Sequence, residues 1–351
     1  MQKPWIFIPR ELRVEVNERV LANGEVLDPL DEESGRTAIK YLAQEGVESI
    51  AICLLNSYAN PAHEQRLQEI LQTEFPHLYY SLSVDIVPEI REYERTSTTA
   101  LNAYIQPVVH RYLSSLAAHV KDNGGTDDLH VMQSNGGIMT WQEAGRKPIH
   151  IIESGPTAGA IAAAYLGGLI GVDNIVSFDM GGTTSKACVI EGGVPETTRE
   201  FEIFEESDKP GSGWPIRIPM IELVEVGAGG GSIAWLDPGG SLKVGPESAG
   251  AVPGPVSYGG GGEWPTITDA NVALGRLETL LGGELTLNVS KAREAIRAKI
   301  ADPMGLSIDE AAQGIIQIAD TRTADLIREV TVAKGRDPRD FGLVAFGGAG
   351  P

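Results

Sequence analysis

The stretch Phe178-Asp179-Met180-Gly181-Gly182-Thr183-Thr184-Ser185-Lys186 decides how the rest of the chain is read. The mostly apolar run from Asn174 to Asp179 predicts a strand, and Ser185 to Ile190 predicts a second. Between them Gly181-Gly182 permits a tight turn that brings bare backbone N–H groups against a ligand. The first strand delivers the Asp179 carboxylate at its end. Thr183 and Thr184 add hydroxyl donors and Lys186 a positive charge. That set suits a polyphosphate, with Asp179 either holding Mg2+ through water or orienting an attacking group. It is not a P-loop, because both the GxxxxGK[ST] spacing and the helix that should follow are missing.

Two more glycine clusters follow strands. Phe341 to Phe346 predicts an apolar strand running into Gly347-Gly348-Ala349-Gly350-Pro351. There Gly347, Gly348 and Gly350 let a flat ligand such as a purine ribose approach the backbone. The segment Val226-Gly227-Ala228-Gly229-Gly230-Gly231-Ser232 holds three consecutive glycines, and their entropic cost implies a special conformation. It reads either as a nest of N–H groups for phosphate or substrate, formed by Gly229, Gly230, Gly231 and Ser232, or as a bulged strand crossing. Glu153-Ser154-Gly155-Pro156 opens a helix whose first N–H groups make either an anion site or a plain structural cap. The polar run from Glu92 to Thr99 either lines a cleft between domains or starts a helix. His63-Glu64 has no second histidine to make a zinc motif, and reads as a surface helix start.

Outward from these clusters, strands alternate with helices, which gives an α/β fold. Residues 10 to 27 predict a hairpin around Asn23-Gly24, and Asp31 to Glu45 a helix. A buried strand is expected from Glu48 to Leu55, a helix from Asn60 to Glu74, a strand from Leu78 to Val84 and a long helix from Thr96 to Val120. The Ala- and Gly-rich helix after Ser154 is expected to pack closely on every face. Glu191 to Asp208 reads as an acidic loop and Ile218 to Val226 as a strand. Asp269 is expected to cap a helix through Leu281, followed by helices at Ser290–Ile300 and Ser307–Lys334. Length suggests two domains, with the boundary at Gly171: residues 1–171 and 172–351.

Composition narrows the function. The chain has 28 Lys+Arg against 48 Asp+Glu, a net charge of −20, which argues against nucleic acid and anionic membrane surfaces. Two cysteines, Cys53 and Cys188, make neither a disulfide framework nor a thiolate cage, which suits a reducing cytoplasm. Glycine accounts for 42 of 351 residues, well above the usual share of about 7%, and it falls in clusters rather than in a repeat.

Taken in order, several motifs resemble the ATP-dependent hydantoinase/5-oxoprolinase family, specifically its A-type subunit. They are Glu92-Tyr-Glu-Arg-Thr-Ser-Thr-Thr, Met132-Gln-Ser-Asn-Gly-Gly, Ser154-Gly-Pro and Phe178-Asp-Met-Gly-Gly-Thr-Thr. Val226-Gly-Ala-Gly-Gly-Gly-Ser-Ile-Ala, Gly245-Pro-Glu-Ser-Ala-Gly-Ala, Thr268-Asp-Ala-Asn and Phe346-Gly-Gly-Ala-Gly-Pro continue the series. The beta-type subunits of acetone and acetophenone carboxylases look similar. The resemblance implies an actin-like ATPase fold of two ribonuclease-H-like domains, with mixed sheets flanked by helices.

It further implies that Asp179, Gly181, Gly182, Thr183 and Thr184 grip the phosphates of ATP and that Gly347, Gly348 and Gly350 lie on the adenosine side. ATP would then phosphorylate the carbonyl oxygen of a cyclic amide, so that water can open the ring. A B-type partner subunit and an oligomer are expected. Relatives carry an Asp-x-Gly-Gly-Thr hairpin upstream of residue 10 and continue beyond Gly350. On that pattern the first domain is incomplete and the second truncated, and a non-catalytic assembly module or inactive fragment is the alternative. Ser257 stands where relatives are expected to have Cys.

Overall fold

The alternation of strand and helix is present in a computed structural model of the chain, which describes residues 6–126, 128–203 and 211–350. The class is α/β, with helices packed on mixed sheets. Two units divide it: Met1–Ser154 with Thr197–Met220, and Gly155–Glu196 with Ile221–Pro351. The division therefore falls ahead of the Ala/Gly-rich helix rather than at Gly171, and an excursion returns to the first unit. The hydrophobic contacts explain both. Phe201, Ile203, Ile216 and Ile218 of the excursion pack with Ile86, Leu101 and Ile149. The helix gives its small residues to the sheet of the second unit.

In the first unit, β1 (Arg19–Val20) and β2 (Val26–Asp28) form a short hairpin around Asn23-Gly24. The hairpin expected from residue 10 starts later, because Arg10–Leu12 is a helical turn and Leu12 and Val16 pack instead onto the unit's core. Helix α1 (Glu32–Gln44) begins where the Asp31 side chain accepts from the amides of Glu33 and Ser34, satisfying orphan donors of the first turn. Strand β3 (Ser49–Ile52), helix α2 (Ala62–Glu74), strand β4 (Tyr79–Leu82) and helix α3 (Glu92–Asp122) follow. The strands β3 and β4 pair in parallel. A cavity of 850 Å³ beside β3 is lined by residues of α1, β3 and α3, among them Ile39, Ile50 and Tyr104.

One expectation is corrected here. His63 and Glu64 are buried, not on a surface: His63 Nδ1 meets Glu18 Oε2 at 2.8 Å, and Glu64 accepts from the Leu54 amide and the Ser83 hydroxyl at 2.9 and 2.6 Å. The polar run from Glu92 starts α3, one of its two readings, and part of it turns inward. Arg95, Ser97, Thr98 and Thr99 are all buried in this unit.

The second unit is built on one sheet. Helix α4 (Ser154–Ile170) leads into β5 (Ile175–Met180), β6 (Ser185–Glu191) and β7 (Val194–Pro195). Then come β8 (Val224–Val226), β9 (Ser232–Leu236), β10 (Leu242–Ser248), α5 (Ile267–Ala273), α6 (Val289–Ile296), α7 (Ile308–Val330) and β11 (Gly342–Phe346). The sheet order is β8-β6-β5-β11, with β7 on β6. Strands β5 and β6 form the expected antiparallel hairpin, and β11 lies parallel to β5. One face carries Val176, Phe178, Ala187 and Val189 against Ile267 and Ala270 of α5 and Ile315 and Ala319 of α7. The other face receives α4.

Helix α4 packs on one face, not on all. Thr157, Ala160, Ala163 and Gly167 are its buried residues, while Tyr165, Leu169 and Ile170 stand 65–75% exposed. The spacing of the small residues, three or four apart, makes a single stripe. Helix α5 ends at Ala273, short of Leu281, and its N-cap is Thr266. Asp269 is the third helical residue and closes a capping box with Thr266. The strand expected from Ile218 to Val226 is interrupted, with Val224–Val226 alone joining the main sheet. Of the acidic stretch to Asp208, residues 204–208 lie outside the described residues, as does Pro351.

Candidate phosphate-binding site

Strands β5 and β11 are parallel and in register from Gly342↔Ile175 to Phe346↔Asp179. Both therefore end at one edge of the sheet, and the loops that follow them meet there. The ends of parallel strands are where open α/β sheets bind ligands, because the chain leaves the ladder with its backbone groups still unspent. Helix α4 adds its N-terminus to the same edge. A side chain at Gly159 would enter the Phe346 ring, and one at Gly167 would meet Ile175, so the helix runs antiparallel to β5 with its first turn towards Asp179.

A row of residues crosses the sheet at this edge: Phe346 beside Asp179, Asp179 beside Lys186, Lys186 beside Glu225. Directly paired residues share a face, so the carboxylate of Asp179 and the ammonium of Lys186 lie on the α4 face. Lys186 Nζ is 3.4 Å from Glu225 Oε2, with its side chain 14% exposed. Its charge is therefore already partly matched by a neighbour that the sequence did not single out. Asp179 is half-buried, while Gly182 and Thr183 at the tip are exposed. The Gly181 amide donates to Thr184 O at 3.0 Å, closing the turn. A Cβ at Gly182 would meet nothing within 4 Å, so the outer side of the tip is open.

Gly347 adopts φ +89°, a conformation few side chains tolerate, and a Cβ there would sit 2.6 Å from Met180 O and closer still to Asp179 Oδ1. The bare backbone after β11 thus touches the strand that bears Asp179. The Ala349 amide donates to Met180 O at 2.9 Å, fastening the two loops together. Gly348 is exposed with open space around it. Gly350 is pressed against the Phe346 backbone.

The third cluster meets the hairpin from its inner side. Gly230 N donates to Gly181 O at 3.0 Å and Gly231 N to Gly182 O at 2.6 Å. Gly229 N donates to Ser232 Oγ at 2.9 Å, and Ser185 Oγ donates to Ala228 O at 2.5 Å. Gly229, Gly230, Gly231 and Ser232 are buried. Their amides bond to protein acceptors, so the segment braces the hairpin and does not present a nest to solvent. Sequence reading missed Thr268, whose N–H and Oγ1 both donate to Gly230 O at 2.8 Å. The signal available was the Thr268-Asp269-Ala270-Asn271 motif, which carries no ligand chemistry of its own.

At this edge lie a half-buried strand-end carboxylate, an exposed Gly-Thr tip, an exposed Gly347-Gly348 turn and the first turn of α4. That donor set fits a phosphate chain. A lone carboxylate fits Mg2+ only in the manner that ion prefers, with waters and phosphate oxygens completing the shell. Among the described residues no group of three or more His, Cys, Asp or Glu side chains is placed to hold a metal by itself, and no helix is long and apolar enough to cross a membrane.

The family model described as Hydantoinase/oxoprolinase matches residues 95–351, and that for the Hydantoinase/oxoprolinase N-terminal region matches residues 2–75. Over 100% of its length the chain is 47% identical to an uncharacterized protein of Methanocaldococcus jannaschii, covering 52% of it. It is 40% identical to the caprolactamase subunit alpha of Pseudomonas jessenii over 98% of the chain and 49% of that protein. The solved nucleotide-free acetone carboxylase superposes with a TM-score of 0.81 at 34% identity, over 97% of this chain and 48% of that one. The chain spans about half the length of the curated relatives it matches.

Proposed function

The chain belongs to the hydantoinase/oxoprolinase family, and from that premise we propose that it carries the nucleotide site of an ATP-dependent enzyme that opens a cyclic amide of the hydantoin or 5-oxoproline type. The observation that carries the reading is the meeting of the Asp179 hairpin and the Gly347-Gly348 turn at one sheet edge. In this reading the amides and hydroxyls of Gly181, Gly182, Thr183 and Thr184 hold phosphate oxygens. Asp179 would hold Mg2+ through water or orient the attacking group. Gly347, Gly348 and Gly350 admit the adenosine. Lys186 acts with Glu225 as a matched pair that sets the field behind Asp179, and Gly229 to Ser232 brace the hairpin. Bound ATP with Mg2+ supplies the phosphoryl group that turns a poor amide electrophile into one that water attacks. The residues contribute by position and by charge neutralisation. The caprolactamase relative is named as a subunit, which supports assembly with a second, B-type subunit. A small cyclic amide as substrate, an oligomer and a cytoplasmic location complete the proposal.

Calorimetric titration with MgATP, followed by phosphate release in the presence of hydantoin or 5-oxoproline, tests this. Asp179→Asn is expected to lower turnover by roughly 100-fold or more, as for loss of a preorganised electrostatic group. Turnover that persists in that variant would refute the site. A second reading, the ATP-using subunit of a carboxylase, is favoured by the acetone carboxylase superposition and by 38% identity to the acetophenone carboxylase gamma subunit of Aromatoleum aromaticum. Phosphate release that requires bicarbonate and a ketone, and ignores cyclic amides, would select it.

A further inference from the structure

Three consecutive glycines are the least self-ordered backbone a protein can place behind a ligand-binding turn. Yet Gly230 N and Gly231 N are aimed at the carbonyls of Gly181 and Gly182. The close fit explains why glycine is needed, since a Cβ on Gly229 would come within 2.6 Å of the Gly182 and Thr183 backbone. It does not explain what orders the segment. Ser232 Oγ and the Ala249 amide hold its two ends, on Gly229 N and Gly231 O, and its centre is ordered by Thr268, whose N–H and Oγ1 converge on Gly230 O at 2.8 Å each. Two donors from one residue fix the direction of that carbonyl, and with it the peptide plane that presents Gly231 N to the hairpin.

Thr268 is itself held rigidly. It is the second residue of α5, between Ile267 and Asp269. The buried Asp269 carboxylate accepts from the amides of Val256, Ser257 and Thr266 and from Thr266 Oγ1, at 2.7–3.1 Å. The path from helix to hairpin thus runs from the capping box of Thr266 and Asp269, through the adjoining Thr268 in the same helical turn, to Gly230 and Gly181, all within one unit.

We propose that Thr268 is a positioning residue that sets the geometry of the Asp179 hairpin for phosphoryl transfer, acting through the Gly229-Gly230-Gly231 segment. The proposal rests on the reading of that hairpin as the phosphate grip. Its logic is that misplacing reacting groups by about 1 Å costs roughly 100-fold in rate, so a residue that touches no ligand can still govern turnover.

The test uses the whole chain with Thr268→Val, which keeps the shape and the N–H but removes Oγ1, and with Thr268→Ser, which keeps the hydroxyl. Hydrogen exchange without ligand should show the Gly230 and Gly231 amides opening roughly fivefold to tenfold faster in the Val variant, as for one lost hydrogen bond, and near wild type in the Ser variant. With MgATP and hydantoin, the Val variant should lose kcat by roughly 10- to 100-fold while KM for MgATP moves less than about threefold. The Ser variant should restore kcat. Unchanged exchange in a folded Val variant overturns the proposal whatever the turnover, and so does equal loss in both variants. Faster exchange in the Val variant with a wild type inert to MgATP leaves the brace standing and overturns instead the functional reading on which it rests.

Discussion

Each unit has a parallel strand whose following loop must be held, and the two loops are held in opposite ways. After β3, the loop Cys53–Ser57 is fixed by buried side chains. Arg95, 1% exposed, donates to Leu54 O at 2.8 Å, to Ser83 Oγ at 3.0 Å and to Ser57 Oγ. Glu64, fully buried, accepts from Leu54 N, Val84 N and Ser83 Oγ. After β11, the loop beginning at Gly347 is fixed by contact of bare backbone with the Asp179 strand. On the side facing Arg95 and Glu64 this loop is filled by a guanidinium and a carboxylate, while its other side lines the 850 Å³ cavity beside β3. A loop held by its own amides leaves the surrounding space empty, as at Gly348 and Gly182. The difference teaches that glycine here serves two ends: it permits the close approach, and it keeps the edge open.

Three substitutions sharpen or break this comparison. The largest effect is expected from Arg95→Leu, which removes the guanidinium that donates to Leu54 O, Ser57 Oγ and Ser83 Oγ; three buried hydrogen bonds to a charged group, at about 1–2 kcal/mol each, should cost about 3–5 kcal/mol of stability together. Urea unfolding measures it, and a loss under about 1 kcal/mol would mean that the network does not hold the loop. Gly347→Ala comes next. A side chain at φ +89°, directed at Met180 O and Asp179, should cost about 1–3 kcal/mol and should impair MgATP binding more than folding. Equal MgATP affinity by calorimetry would separate the Gly347 turn from the site. The smallest is Lys186→Met. Because Glu225 already answers the charge at 3.4 Å, stability should change by no more than about 1 kcal/mol. MgATP affinity should fall less than about tenfold, or 1.4 kcal/mol. A fall of 100-fold or more would restore Lys186 as a direct phosphate ligand.

Local signals were sufficient where local physics rules. The β5–β6 hairpin followed from an apolar strand, Gly181-Gly182 and a second apolar strand. Helices α1 and α7 followed from caps at Asp31 and Ser307 and from periodic apolar residues. Reading failed where a distant contact overrode the local pattern. His63-Glu64 looked like an exposed helix start, but Glu18 and the Leu54 and Ser83 donors draw both residues inward. Asp269 looked like a cap at the start of its helix. It lies one turn in, serving the capping box and the loop amides of Val256 and Ser257.

By itself the sequence determined the chemistry available at residues 178–186 and 346–350, because glycines, hydroxyls and a carboxylate at a strand end limit what that backbone can do. Only the tertiary structure decided which glycines face outward. Gly182 and Gly348 look into open space, while Gly229, Gly230 and Gly231 spend their amides inside the protein. Three glycine clusters look alike along a chain, since each lacks side chains. They become different when the partner of every N–H is fixed, and those partners lie from 3 to more than 160 residues away.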